Sequence, residues 1–232
     1  MGRDTASGEK PHYLGHRERL RQKLTRRGAE ALEDYELLET LLCAFIPRRD
    51  VKPIAKSLLT RFGSISAVMS ASVADLKAVD GVGDTSAAYL RAVGEIQVRA
   101  AREAIQKRSV LSSWSALINY LRIELQHNTR EEFRVIFLDR KNQIISDEVM
   151  STGTVDQAPV YPREVARRAL EQECSSIILV HNHPTGDTTP SRADIEMTRE
   201  VIDALQPFDI NVHDHIIVGT GGTTSLKAKG LI

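Results

Sequence analysis

The chain has 232 residues, enough for one domain or two small ones, and its apolar fraction of 41% predicts packed cores rather than disorder. No apolar run approaches the length that spans a bilayer, and the polar N-terminal segment lacks the apolar core of a secretory signal. The expected location is therefore the cytoplasm. Cys43 and Cys174 lie in apolar or helical surroundings, which predicts reduced core residues rather than a disulfide or a cysteine-rich zinc site.

The formal net charge of zero hides an asymmetry between the two halves of the chain. Residues 1–110 carry 19 Lys or Arg and 14 Asp or Glu, whereas residues 111–232 carry 12 and 17. The basic half could contact nucleic acid or an acidic partner, and it could equally dock on the acidic half.

The first half is predicted to be helical. Residues 1–14 are expected to be disordered. A basic helix over 15–28, with its cations at 17–27, suits a solvated face or a phosphate-binding stripe. A second helix over 34–45 has an apolar stripe, and a third ends at Phe62. The stripe of the second helix is predicted to comprise Leu37, Leu38, Leu41, Leu42 and Phe45.

Residues 64–93 have the pattern of a helix-hairpin-helix. A short helix over 72–79 is followed by a turn over 80–83 and by a helix from Asp84 to about Lys107. In such a motif, backbone N–H groups at the turn can hold a DNA phosphate. Asp80 and Asp84 flank this turn and disfavour a phosphate, so a structural or partner-binding hairpin is the alternative. The turn residues in question are Gly81, Val82 and Gly83, and the inward residues of the second helix are predicted to be Ala87, Leu90, Val93 and Ile96.

The second half, residues 109–232, is predicted to be a mixed α/β domain that follows a helical domain over 15–108. Its alternating and apolar runs define strands, and its periodic runs define helices. The predicted elements are helices over 114–125, from 161 and over 191–205, and strands over 133–138, 143–150, 175–180, 210–218 and 221–226.

A candidate metal site follows the apolar strand over 175–180. His181 and His183 are spaced i and i+2, so in extended backbone both imidazoles point to the same face. Ser191 then begins a helix, with Asp194 one turn in. Two histidines and a carboxylate are the three protein ligands of a catalytic zinc that keeps its fourth position for water. Ser191 could also be a simple N-cap, because Ser-x-x-Asp has the form of a capping box.

These residues resemble the signature of the JAMM (MPN+) metalloproteases: an upstream Glu, His-x-His, seven residues, then Ser-x-x-Asp. The segments 180–184, 190–195 and 214–219 are closer still to the RadC proteins (UPF0758 family), and the resemblance covers nearly the whole chain. It implies an N-terminal all-α helix-hairpin-helix bundle and a C-terminal JAMM/MPN domain with a layered, cytidine-deaminase-like α/β fold. It also implies Zn²⁺ as the cofactor.

The same resemblance implies a general base and an oxyanion donor. The base is expected just before the first strand of the domain, where Glu131 and Glu132 both lie. RadC-like sequences carry Glu-x-Phe there, which selects Glu131, with Phe133 as the aromatic residue. Strand alternation places Glu132 on the opposite face. By the same resemblance, Ser191 is the donor to the oxyanion.

A second His-x-His pair, His213 and His215, lacks the Ser-x-x-Asp continuation and is not predicted to bind the metal. His215 or Asp214 could instead support a ligand from behind. Asp187 lies between the histidines and Asp194, but the spacing of the signature favours Asp194 as the ligand.

The leading functional hypothesis is a zinc-dependent hydrolase that cleaves a peptide or isopeptide bond. The alternative is a DNA-associated repair or recombination factor that binds DNA through the hairpin at 81–83 and the basic helix. A binding module with an idle metal site is a third possibility. An exposed apolar face on the first β-hairpin of the second domain could support a homodimer.

Overall fold

The computed structural model describes residues 12–105, 109–153 and 160–232. The chain divides into two compact units, Met1–Gly94 and Glu95–Ile232. The division falls inside a long helix that runs from Asp84 to Glu103, whereas the sequence predicts the boundary after this helix, near residue 109.

The first unit is helical, as predicted. Its apolar residues recur at helical spacing, so each helix buries one stripe in a shared core built around Leu38, Leu42, Leu58 and Leu90. The helices are α1 (His12–Arg27), α2 (Asp34–Phe45), α3 (Lys52–Phe62), α4 (Ile65–Ser70), α5 (Val73–Lys77) and α6 (Asp84–Glu103), with a 3₁₀ turn at Ala29–Ala31.

Three details of helices α1, α2 and α6 differ from the prediction. Helix α1 already begins at His12, and the segment 1–11 lies outside the described residues. Helix α6 ends at Glu103 rather than near residue 107. Leu37 is 38% exposed and Ile96 is 64% exposed, so neither belongs to a buried stripe. Steps of three residues drift by about 60° each around a helix, so Ile96 lies half a turn away from Ala87.

The basic helix α1 uses one of its cations for packing. The Arg17 guanidinium donates to the backbone carbonyl oxygens of Cys43, Ile46 and Arg49, at distances of 3.2, 2.8 and 2.5 Å. These carbonyls lie at and beyond the C-terminal end of α2, where backbone acceptors lack helical partners. Arg17 therefore caps a neighbouring helix, and it is not a free phosphate ligand.

The second unit contains a five-stranded mixed sheet with the strand order β2-β1-β3-β4-β5. Strands β3 and β4 are parallel, and the other neighbouring pairs are antiparallel. The mixed α/β class is therefore confirmed, with strand ends within two residues of the prediction. The elements are α7 (Trp114–Leu125), β1 (Glu132–Leu138), β2 (Ile144–Thr152), α8 (Pro162–Glu171), β3 (Ser176–Asn182), α9 (Arg192–Leu205), β4 (Asn211–Gly219) and β5 (Gly222–Ser225), with 3₁₀ turns at Val110–Ser113 and Gln206–Phe208.

Helices cover both faces of this sheet, which makes three layers. Helix α7 packs on one face, and α8 and α9 pack on the other. Every residue of the central strand β3 is buried, which explains its continuous apolar run. Alternate residues of β3 therefore face different helices: Ile178 and Val180 face α7, whereas Ile177 and Leu179 face α8 and α9.

A buried charged cluster joins α7 to the α7 face of β1 and β2. Arg134 is 5% exposed, and its guanidinium lies 3.1 Å from Glu132, 3.4 Å from Asp147 and 3.4 Å from Glu124. The Tyr120 hydroxyl donates to Asp147 over 2.5 Å. Burial raises the pKa of the Glu132 carboxyl, against the opposing pull of Arg134. The cluster is named the Arg134 cluster below.

Cys43 and Cys174 are both free thiols, and burial raises the pKa of each. They fit the expected core residues. Among the helices of the described ranges, none combines the length and the apolar character needed to cross a bilayer.

Candidate metal centre

The topology of the sheet brings the three predicted ligands together. His181 is the sixth residue of β3, and His183 follows the strand directly. Because β3 and β4 are parallel, the chain must run back along the sheet between them, and α9 makes this connection. The N-terminus of α9 therefore lies near the carboxyl end of β3. Asp194 lies in the first turn of α9. This carboxyl end of a strand is where α/β sheets commonly place their ligands.

The ligand atoms converge on one small volume. One atom from each of His181, His183 and Asp194 lies within 4.8 Å of the others. His181 Nε2 and His183 Nε2 are 2.9 Å apart. Asp194 Oδ1 lies 3.4 Å from His181 Nε2, and Asp194 Oδ2 lies 3.7 Å from His183 Nε2. Two imidazole nitrogens and one carboxylate make a compact set of donors on one side of a point.

Hydrogen bonding fixes which nitrogen of His183 faces this point. His183 Nδ1 is 2.6 Å from the backbone carbonyl oxygen of Asp187. A carbonyl oxygen only accepts, so Nδ1 carries the hydrogen and Nε2 carries the lone pair in the neutral ring. That lone pair points towards His181 Nε2. Lone pairs this close together repel one another unless a proton or a metal cation lies between them. The residues therefore fit a zinc ion.

The electrostatics of the site give His181 and Asp194 the protonation states that a metal requires, whereas hydrogen bonding to Asp194 raises the pKa of His183, so that a metal at this ring competes with a proton. Burial lowers the pKa of His181 to about 4, so the ring is neutral at physiological pH. Burial alone would raise the pKa of Asp194, but hydrogen bonding to His183 and to Ser191 holds it well below its ordinary value. Neutral imidazoles and an ionised carboxylate are the forms that coordinate a metal.

Asp194 has a second task in the same position. Its Oδ2 accepts the Ser191 N–H over 2.7 Å, and the Ser191 Oγ accepts the Asp194 N–H over 3.1 Å. This is the capping box that the spacing suggested, and it fixes the carboxylate that the metal would use. The alternative structural function of Ser191 is therefore real, and its catalytic function stays a prediction.

The register of β1 and β3 separates the two candidate bases. Phe133 pairs with His181 in an antiparallel ladder. Continued by two residues, this register would bring Glu131 opposite His183. Hydrogen bonding to Asp194 is the main cause that raises the pKa of His183, and the negative charge of Glu131 adds to it. The carboxylate of Glu132 instead lies 3.1 Å from Arg134, on the α7 side. Of the two glutamates, Glu131 is the one whose charge acts on a ligand histidine, and its function as the base stays a prediction.

Asn182, which was not among the predicted site residues, holds the segment that carries Glu131. Its Oδ1 accepts the Glu132 N–H over 2.9 Å, and its Nδ2 donates to the Arg130 carbonyl over 3.0 Å. The amide is buried and points away from the histidines, as strand alternation requires. The sequence offered one sign of this function: Asn182 is a polar residue between the two ligands, at a strand position whose side chain faces the core.

The second His-x-His pair divides between two environments. His213 bonds to Asn142 Oδ1 over 2.7 Å, away from the ligands. His215 is fully buried and its Nε2 lies 2.7 Å from His181 Nδ1. Asp214 accepts hydrogen bonds from the Ser225 hydroxyl and the Lys227 N–H, so it holds backbone rather than a histidine ring.

The loop between the ligands is held closely against the end of β4. Gly186 has φ of +87°, a conformation that glycine adopts without strain. A Cβ atom at this position would lie 2.2 Å from Thr220 Oγ1. The side chain of Asp187 closes a turn with Thr189, so it does not join the ligand cluster.

The proposed DNA-binding turn in the first unit uses its own amides. The Val82 N–H donates to the Val79 carbonyl over 3.1 Å, and the Gly83 N–H donates to Ser86 Oγ over 3.0 Å. Asp84 pairs with Lys77 at 2.5 Å. Hydrogen bonds within the hairpin therefore occupy two of the donors assigned to a phosphate, and a DNA contact through residues 81–83 stays an untested prediction.

Two histidines and a carboxylate at the end of a central strand form the type of donor set that catalytic zinc centres use. Comparison with known families agrees with this class. A family model described as "RadC-like JAB domain" matches residues 111–231, and a second, described as "UPF0758 N-terminal", matches residues 12–88. Because the first match covers more than half of the chain, the protein belongs to the RadC-like JAB domain family. JAB domains are associated with metal-dependent hydrolases.

Proposed function

We propose that this protein is a zinc-dependent hydrolase that cleaves a peptide or isopeptide bond. The observation that carries the proposal is the convergence of His181 Nε2, His183 Nε2 and the Asp194 carboxylate, with the charge of Glu131 acting on His183. Three protein donors leave a coordination position open, as in catalytic rather than structural zinc sites. A bound zinc ion would acidify a water molecule and polarise a carbonyl group.

The protein's own residues supply the proton transfers. The Glu131 carboxylate takes a proton from the attacking water and returns it to the leaving amine. Glu131 directly precedes β1, and in this proposal its carboxylate reaches the metal-bound side of the histidines, where both proton transfers take place. The backbone on either side of Glu131 is held by Asn182, so the carboxylate starts from a fixed segment.

Ser191 is the donor to the developing oxyanion in this proposal. Its Oγ already accepts the Asp194 N–H, and its hydrogen bonding lowers the pKa of Asp194. During the reaction, the hydroxyl hydrogen turns from the Asp194 carboxylate towards the substrate oxygen. The backbone of Ser191 maintains the helix cap while the hydroxyl acts on the substrate.

The experiment compares zinc-loaded and chelator-stripped protein on three substrates. These are a library of quenched fluorescent peptides, a set of peptides joined through a lysine ε-amine, and duplex DNA. The proposal predicts cleavage of an amide or isopeptide bond that chelation removes and added zinc restores. Zinc-dependent cleavage of DNA alone, or no zinc-dependent cleavage of any of these substrates, would contradict it.

A further inference from the structure

A chain of three buried hydrogen bonds lies behind His181, on the side away from the metal cluster. His181 Nδ1 is 2.7 Å from His215 Nε2. His215 Nδ1 is 2.6 Å from Thr198 Oγ1, and Thr198 Oγ1 is 2.5 Å from the backbone carbonyl oxygen of Asp194. His215 and Thr198 are both 0% exposed. The Phe133 ring also contacts the edge of His215, with ring centroids 5.9 Å apart.

The direction of this chain can be read from its far end. The Asp194 carbonyl oxygen can only accept, so the single hydroxyl hydrogen of Thr198 lies in that bond. An oxygen pair 2.5 Å apart without a hydrogen between them would be repulsive. Thr198 Oγ1 therefore has only lone pairs to offer His215, and His215 Nδ1 must carry the hydrogen that joins them.

The same reasoning fixes the two rings. A fully buried imidazole without a carboxylate bonded to it stays neutral, so His215 has one N–H and its Nε2 is an acceptor. His181 Nδ1 must then carry a hydrogen and donate it to His215. The neutral His181 ring is left with its lone pair on Nε2, the atom that faces His183 and Asp194.

We infer that Thr198 and His215 are positioning residues that set the tautomer of His181 and so prepare its Nε2 for the metal. The inference rests on the proposed function in that the metal is held by His181. It also closes a ring: Asp194 supplies a ligand through its carboxylate and, through its carbonyl, fixes the tautomer of another ligand. The carbonyl that begins the chain lies four residues before Thr198 on α9.

The test uses two substitutions at Thr198, which touches no ligand side chain. Thr198→Val keeps the shape and removes the hydroxyl, so His215 Nδ1 loses its acceptor and the tautomer of His181 is no longer fixed. Zinc affinity, measured by competition with a chromophoric chelator, is expected to fall about 10–100-fold, the range typical of lost outer-shell partners. Thr198→Ser keeps the hydroxyl and is expected to bind zinc within a few-fold of the wild-type protein.

A second readout does not depend on the metal. Long-range ¹H–¹⁵N NMR of the metal-free protein, at mildly alkaline pH, is expected to show His181 as the Nδ1–H tautomer. The Nε2–H fraction of the folded protein is expected to rise in Thr198→Val but not in Thr198→Ser, whereas a loss of stability that leaves the protein folded would not change the tautomer. If the metal-free wild-type protein shows the tautomer but binds no zinc, the proposed function fails and the hydrogen-bond chain stands.

Three results would overturn the inference. The first is a wild-type His181 that is mainly Nε2–H. The second is a Thr198→Val variant with unchanged zinc affinity. The third is a Thr198→Ser variant as weak as Thr198→Val, because that would assign the effect to packing of the methyl group. The wild-type spectrum alone decides the first, so the inference can be rejected even if a variant does not fold.

Discussion

Replacing Glu131 with glutamine is expected to lower kcat/KM by about 10²–10⁴-fold, the range that a positioned general base contributes. The substrate is the most rapidly cleaved member of the peptide and isopeptide sets. Zinc affinity should stay close to the wild-type value, because Glu131 is not one of the three ligands. Glutamine keeps the size and hydrogen-bonding capacity of the side chain and removes only its ability to take a proton.

The matched control is Glu132→Gln. This neighbour lies on the other face of β1, against Arg134, so its substitution should leave kcat/KM within a few-fold of wild type. Equal losses in the two variants would indicate a general effect on the strand rather than a base at position 131. A large loss in Glu132→Gln alone would assign the base to Glu132 and contradict the register argument.

Replacing Arg134 with methionine is expected to cost about 3–5 kcal/mol of unfolding free energy, the usual result of removing one partner from a buried ionic cluster. The side chain is 5% exposed and is the cation that Glu132, Asp147 and Glu124 share. Without it, three half-buried carboxylates face one another with no shared cation. Chemical denaturation of the variant and the wild-type protein measures the difference.

Arg140→Met is the control for this prediction, because Arg140 is exposed at the turn between β1 and β2. Its cost should stay within about 0.5 kcal/mol. Adding Glu132→Gln to Arg134→Met should recover part of the loss, since it removes one of the unpaired carboxylates. A loss below about 1 kcal/mol in Arg134→Met, compared with the 3–5 kcal/mol expected, would contradict the structural importance of the cluster.

Residues 131–134 form one short segment, and alternate residues in it have different functions. Phe133 pairs with His181, and Glu131, which directly precedes β1, acts through its charge on His183. Glu132 and Arg134 lie on the face that meets α7. The alternation of a strand thus separates the chemistry of the site from the ionic packing that holds the strand in place.

Most of the fold could be predicted from local patterns. The apolar runs of β3 and β1 are strong signals, because both strands are buried on two faces. The buried stripe of α6 was harder to predict. Its apolar residues recur every three positions, and because each such step falls about 60° short of a full turn, the series moves from one face of the helix to the other. Ile96 was placed inward for this reason and is exposed.

The ligands could be predicted, and His215 could be expected as a support for one of them, but the hydrogen bonds that the support makes could not be predicted. His181, His183 and Asp194 are close in sequence, and the geometry of a strand and of one helical turn fixes how they meet. His215 comes from another strand, and it meets His181 only because β4 lies beside β3. Thr198 has a local signal, its position four residues after Asp194, but nothing in that spacing reveals the histidine that accompanies it.

X-ray absorption spectroscopy of the zinc-loaded protein is the most direct test of whether these residues hold the metal. If His181, His183 and Asp194 bind the metal, the spectrum should show zinc bound by two imidazole nitrogens and by oxygen, at about 2.0–2.1 Å, in the wild-type protein and in His213→Ala. The His181→Ala/His183→Ala variant should lose this signal. A sulfur ligand at about 2.3 Å, or a spectrum unchanged in the double variant, would place the metal elsewhere and contradict the assigned centre.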